Sequence, residues 1–296
     1  KWRCSAGLNL LWRGNRARRE VLGKKGFVMH DLVVRKLPFS FDDVPFDWHP
    51  ANPGFSMMMN AVTFQVIGLE TYMCRAMRDA EKFITDPAIL DEARAFNAQE
   101  MVHSQAHKKH ITALLDRYPG LQEVLDGTVA SYDALYKSAD LHFHLAYAAN
   151  IEATFTPLFG TIIDYRRELF AGGDPRITAL MLWHFCEEIE HRSSALKIYN
   201  HVVGNRFYRL KKLPQVIAHI KADAAAIHAG FAKHVPDAPQ GATKGAFAKI
   251  PAWPRTKMLL GVLESQMPWH RPERGHIPAY YREWLTRYAR GDDMTV

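Results

Sequence analysis

The sequence predicts an all-α protein, a four-helix bundle with additional C-terminal helices, and three observations predict it. Apolar residues recur at three- and four-residue spacing through four long stretches, 56–84, 87–117, 129–171 and 175–204, the period of a helix with one face turned to a core. The β-branched alternation that marks strands is scarce along the chain. Asp86-Pro87 and Asp174-Pro175 each put an N-capping carboxylate ahead of a proline, and proline suits the first helical position because an N–H there would have no partner.

Taken from the amino end, residues 1–28 carry eight Lys and Arg against one acid, Glu20, which accounts for the whole formal charge of +7. The remaining residues balance, 30 basic against 30 acidic, so no nucleic-acid surface is expected of them. The basic segment lacks apolar periodicity and precedes Met29; it is expected to be a flexible arm or a translated leader. Residues 29–235 are expected to form the bundle, and 236–296 a linker and an aromatic, basic tail packed on it. Residues 38–55 mix Pro, Asp and aromatic side chains without a period and read as an ordered loop around the core. Gly172-Gly173 closes the third helical stretch. After the fourth, helices are expected at 213–235, 255–266 and 278–290, with a Gly/Ala/Pro/Lys linker at 236–254.

At 296 residues and 48% hydrophobic, the chain has ample material for a buried core. No window reaches the roughly 18 uninterrupted apolar residues of a membrane-spanning helix. Cys4, Cys74 and Cys186 are too scattered for a disulfide framework. A cytoplasmic protein with no integral membrane segment is the expectation, as a homodimer.

The two Asp-Pro starts open an internal repeat. Glu100 follows Asp86 by 14 residues and Glu188 follows Asp174 by 14, and in each case His stands three positions further on, so the segments align at an offset of 88 without a gap. Glu-x-x-His on a helix puts a carboxylate and an imidazole on one face, one turn apart, where both reach the same ion. With 14 Glu and 15 His in the chain, chance alone supplies about 0.7 such pairs. A third copy, Glu273 to His276, lies in RPERGHIP, where Pro and Gly forbid a helix, and is read as that chance event.

A bundle that holds two metal ions draws one Glu from each of two helices and a Glu-x-x-His from each of the other two. Glu70 in FQVIGLETYM and Glu152 in LAYAANIEATF supply the single acids, both in apolar surroundings where an unpaired carboxylate is expensive to bury. The order Glu70, Glu100/His103, Glu152, Glu188/His191 is complete. His184 shares the face of Glu188 and His191 in the apolar turn LMLWHF and is expected as a seventh ligand; His107 leads into HKKH and is expected behind the ligands or at the surface. Glu187 and Glu190 fall off the ligand face and are expected to meet solvent or an arginine, and His142 and His144 to pack.

At these residues the chain resembles a known family. GLETYMCRAM, RAFNAQEMVHSQAHKKH and LWHFCEEIEHRSSALKIY are similar to signature segments of the bacterial predicted metal-dependent hydrolases, a ferritin-like group, over about Val33 to Phe231. The spacing His184, Glu188, His191 also resembles the fourth helix of di-iron arylamine oxygenases, where the equivalent extra histidine binds iron. The resemblance implies a ferritin-like bundle with Glu70, Glu100, His103, Glu152, His184, Glu188 and His191 as ligands.

Carboxylate-rich ligation with a few imidazoles suits two ions of iron, or manganese. The principal expectation is an oxidoreductase that uses O2 as co-substrate on a small organic molecule. Its electrons would come from an external donor protein, since no GxGxxG fingerprint is present. The alternative is a hydrolase in which the two ions activate water, and the third a metal-storage or redox protein.

Overall fold

The computed structural model describes residues 32–239 and 243–296; the basic segment 1–28 lies outside the described residues. From Leu32 to Asn52 the chain has no helix of its own, yet Phe39, Phe41, Val44, Phe46 and Trp48 are each at most 3% exposed. Five anchors in ten residues therefore hold the strap in place through its side chains.

Helix α1 (Pro53–Ala80) starts on a proline and ends in a short 3-10 turn, Glu81–Phe83. Helix α2 (Pro87–Arg117) begins where Asp86 accepts a hydrogen bond from the Ala88 N–H at 2.8 Å. The single helix predicted over 129–171 is instead three: α3 (Leu121–Ser138), α4 (Leu141–Asp164) and α5 (Arg166–Phe170). Asp140 accepts from the Phe143 N–H at 2.8 Å, and the extended backbone this cap needs at Ala139 and Asp140 ends α3. After α5, Gly172 has φ +85°, a conformation that costs glycine little.

Helix α6 (Pro175–His191) repeats the Asp cap, Asp174 accepting from the Arg176 N–H at 2.9 Å. The stretch predicted to run to 204 breaks at Arg192–Ser193, after which α7 (Ser194–Val202) follows. Helix α8 (Arg206–His234) starts two turns before the predicted 213, because Asn205 accepts from the N–H groups of Phe207 and Tyr208, both at 3.1 Å. Helices α9 (Ala252–Ser265) and α10 (Ala279–Arg290) complete an all-α chain with no strand among the described residues.

α1 packs on α2 and α4 on α6, and contacts α1·α4 and α2·α6 close these four around one interior, which fits a four-helix bundle. α4 is apolar on nearly every side and is covered accordingly, by α1, α6, α7, α8 and α9. α10 lies on α4 and α6 with Tyr281 and Trp284 buried, whereas Trp253 and Trp269 stay exposed. No helix among the described residues is long and apolar enough to cross a membrane.

Candidate metal centre

Glu70 of α1, Glu100 and His103 of α2, Glu152 of α4, and His184, Glu188 and His191 of α6 all point into the interior of these four helices, none more than 2% exposed. They form two groups. Ligand atoms of Glu70, His103 and His184 lie within 4.8 Å of one another, as do those of Glu100, Glu152, Glu188 and His191. Two carboxylates span both groups. Glu188 turns Oε1 to His184 Nε2 at 2.9 Å and Oε2 to His191 Nε2 at 3.0 Å. Glu100 has Oε2 4.0 Å from His103 Nδ1 and Oε1 3.2 Å from His191 Nε2. The unshared acids belong to one side each, Glu70 Oε1 being 3.4 Å from His184 Nε2 and Glu152 Oε2 3.5 Å from His191 Nε2.

The chemistry of this set calls for cations. Both oxygens of Glu70, Glu100 and Glu152, together with Nδ1 of His103, are buried without a hydrogen-bond partner, and unpaired buried polar atoms are costly. Burial first, then repulsion between neighbouring carboxylates, drives Glu70, Glu100 and Glu152 well above the ordinary carboxylate range. Burial and the imidazoles of His184, His191 and His107 hold His103 well below its usual value, neutral as a ligand must be. Glu188 and His191 behave as an ion pair: burial opposes both charges, but their attraction and hydrogen bond prevail, placing Glu188 at about 2 and His191 at about 9. Two divalent ions would balance the charge of four carboxylates and give every orphaned atom a partner, so the residues fit a pair of metals.

A second layer orients the imidazoles. His103 turns Nδ1 to the centre and Nε2 to Glu187 Oε2 at 2.9 Å, while His191 turns Nε2 to the centre and Nδ1 to Gln99 Oε1 at 3.1 Å. Gln99 donates in turn to Glu190 Oε2 at 2.7 Å. Arg35, from the strap, joins both branches, donating to Glu187 Oε1 at 2.9 Å and to both oxygens of Glu190 at 2.8 and 2.9 Å. Its guanidinium lies 5.3 Å from the ring centroids of both Trp284 and Tyr288, and Tyr281 donates to Glu190 Oε1 at 3.3 Å, so α10 closes the layer. His184 Nδ1 meets His107 Nε2 at 2.8 Å, and His107 Nδ1 meets Thr63 Oγ1 at 3.1 Å. Such partners fix the tautomer and aim of a ligand imidazole.

An apolar cavity of about 370 Å³ leads from the centre between α1, α4, α8 and α9. Glu70, Glu100, His184 and Glu188 line its inner end, and exposed Ile217, Lys221 and Leu263 its outer end.

All seven residues expected as ligands thus meet in one interior, and His107 sits behind His184. Glu187 and Glu190 do meet an arginine but not solvent: they are buried because α10 and the strap cover that face of α6. His144 is buried against Tyr72, its ring stacked on Tyr136, whereas His142 is exposed. His276 is exposed and pairs with Asp164, away from the centre. Sequence reading missed Arg35 and Gln99. A signal for Gln99 was present, since the offset of 88 sets it opposite Glu187, one residue before the shared Glu in each copy.

Residues 33–275 match the family described as predicted metal-dependent hydrolase, through α9 and beyond the Phe231 limit of the recognised segments. No curated protein and no solved structure matches the chain.

Proposed function

Since the chain belongs to the predicted metal-dependent hydrolase family, we propose that it is an enzyme that binds two divalent cations at the interior of α1, α2, α4 and α6 and hydrolyses a small organic substrate there. The observation that carries this reading is the pair of ligand groups joined by two shared carboxylates. Glu70, His103 and His184 would hold one ion, Glu152 and His191 the other, with Glu100 and Glu188 common to both. Two such ions supply Lewis acidity, lowering the pKa of water and polarising the bond to be cleaved.

The remaining work falls to the chain. Glu187 and Gln99 keep the correct nitrogen of His103 and His191 turned inward, so no binding energy is spent on reorienting rings. Of the two unshared carboxylates, Glu70 lines the cavity, which makes its carboxylate the acceptor beside the substrate for the proton that water gives up. The apolar walls keep bulk water from the centre and strengthen every electrostatic interaction within it.

The test is reconstitution of the metal-free protein with Zn(II) or Mn(II), metal analysis, and assay on carboxylic and phosphoric esters. Two ions per chain and turnover under anaerobic conditions support the reading; a fully loaded protein inert to all of them under those conditions overturns it. One observation favours a second reading, an O2-dependent di-iron oxidase with an external electron donor: the cavity walls present apolar groups and no free hydrogen-bond donor suited to a developing oxyanion. Oxygen uptake by the Fe(II)-loaded protein distinguishes it.

A further inference from the structure

The cavity is more specific than an unfilled space. Its walls are aliphatic and aromatic, with Val66, Leu69, Ile151, Leu158, Val216 and Ile220 among them. The polar side chains in the wall are already engaged: Gln65 with Asp223 and the Ile220 carbonyl, Thr154 with the Asn150 carbonyl, Gln266 with the Ser265 hydroxyl, and Asn150 with Arg209. Gln266 Oε1 alone among these side chains is buried without a hydrogen-bond partner, a single acceptor in a wall otherwise apolar or engaged. The charged groups lie at the two ends, the carboxylates of the centre inside and Lys221 at the rim. Lys221 is exposed and makes no ion pair among the described residues. Beside it Ile217 and Leu263 are 43% and 62% exposed, so the entrance itself is apolar.

Apolar walls, a cation outside and a metal-holding centre inside define an amphipathic guest. We propose that the substrate is an elongated aliphatic molecule with an acidic group at one end, which enters far end first between α8 and α9 and leaves its carboxylate at the Lys221 ammonium. This rests on reading the constellation as the reactive centre, and it puts the reacting bond at the end of the chain remote from the acid. A volume of about 370 Å³ is some two and a half times the roughly 150 Å³ apolar cavity that takes up one benzene, which sets the capacity at about 12–15 carbons.

Titration of the Zn(II)-loaded protein at low ionic strength with straight-chain carboxylates and alcohols of 6–16 carbons tests this. Burial of one methylene is worth about a fourfold gain in affinity, so affinity should climb by about that factor per carbon and level off near 12–15. At equal length the acid should bind about two- to fivefold tighter than the alcohol, the size of one exposed charge interaction. Lys221→Glu should abolish or invert that preference and leave alcohol binding and metal content unchanged. Thr154→Phe should move the plateau to shorter chains.

A flat length series overturns the proposal. So does a carboxylate whose affinity ignores Lys221→Glu and disappears on metal removal, because the head would then sit on the ions. Length-dependent binding without hydrolysis of any ester leaves the substrate class standing and the hydrolase reading fallen. Hydrolysis of short polar esters with no length dependence does the reverse.

Discussion

Arg35 holds two buried carboxylates that between them support both ligand branches, so Arg35→Met should damage the fold and the centre together. The side chain makes three charge-assisted hydrogen bonds at 2.8–2.9 Å to Glu187 and Glu190, and removing one partner of such a buried group costs about 3–5 kcal/mol. The loss depends on pH in a defined direction. Burial pushes Glu187 up to about 8 even with Arg35 pulling it back; without Arg35 it rises further. A carboxyl with a raised folded-state value is cheapest to bury when protonated, and the parent itself sheds that stability between the ordinary value of 4.5 and about 8, so the variant's added loss opens as pH rises through 8 and grows until its own Glu187 ionises. Denaturant unfolding of parent and variant at pH 5.5 and 8.5 measures this: at pH 8.5 a loss of about 3–5 kcal/mol, on the order of 10 °C in Tm for a chain of this size, and a loss smaller by up to about 1 kcal/mol at pH 5.5. Metal affinity should fall about 10- to 100-fold as His103 and His191 lose their alignment. Adding Glu187→Gln and Glu190→Gln to the variant should restore most of the stability. A variant within about 1 kcal/mol of the parent at pH 8.5, with unchanged metal affinity, would refute the account.

The same centre yields further tests. Glu70, Glu100 and Glu152 stand high and His191 stands at about 9 in the absence of cations, so metal uptake must expel protons and affinity must rise from pH 5 to 8; calorimetry in buffers of different ionisation enthalpy reads the protons released, and none released counts against the ligand set. By the same signs the metal-free protein should lose Tm as pH rises from the ordinary carboxylate value of 4.5 upward, a trend that loading with metal should flatten. Glu100→Ala removes a shared carboxylate and should abolish two-ion occupancy, whereas Glu152→Ala should leave one ion bound; elemental analysis of each purified variant decides, and full occupancy in the Glu100 variant removes the assignment. His184→Phe, which copies the Phe96 environment of His191, should lower affinity for the first-bound ion about tenfold or more, seen as loss of a two-step titration.

How far the centre could be read from sequence depended on where each contact was encoded. Glu100–His103 and Glu188–His191 repeat within their own helices, and helical geometry alone fixes which face each pair shares. Glu70 and Glu152 were legible because an acid in an apolar run needs a partner. Arg35 was not, since its role arises from a strap without periodicity that meets α6 some 150 residues later in the chain, and nothing local marks such a contact. The burial of Glu187 and Glu190 was invisible for the same reason: within α6 they do leave the ligand face, and only the cover supplied by Arg35 and α10 makes that other face interior. The overlong helix at 129–171 failed differently. Its apolar spacing continues across Ala139, but the Asp140 cap sets the backbone there and outweighs the pattern.

The offset of 88 residues also explains why the two halves of the centre differ. The residue before each shared Glu reaches across to the imidazole of the other copy, Gln99 to His191 and Glu187 to His103, so the repeat extends to the layer behind the proposed ligands. The equivalence is incomplete at two positions. Gln99 is an amide where Glu187 is a carboxyl, so His103 has an ionisable partner and His191 one that stays neutral at every pH. His184 aligns with Phe96, whose ring packs 4.9 Å from His191, so one group has two imidazoles and a carboxylate before sharing, and the other a single imidazole and a carboxylate. An ion in the first position would meet more protein donors than one in the second. The cavity opens on that richer side, through Glu70 and His184, so a substrate arriving along it would reach the group that offers an ion more protein donors, on the reading of this centre as a pair of metal sites.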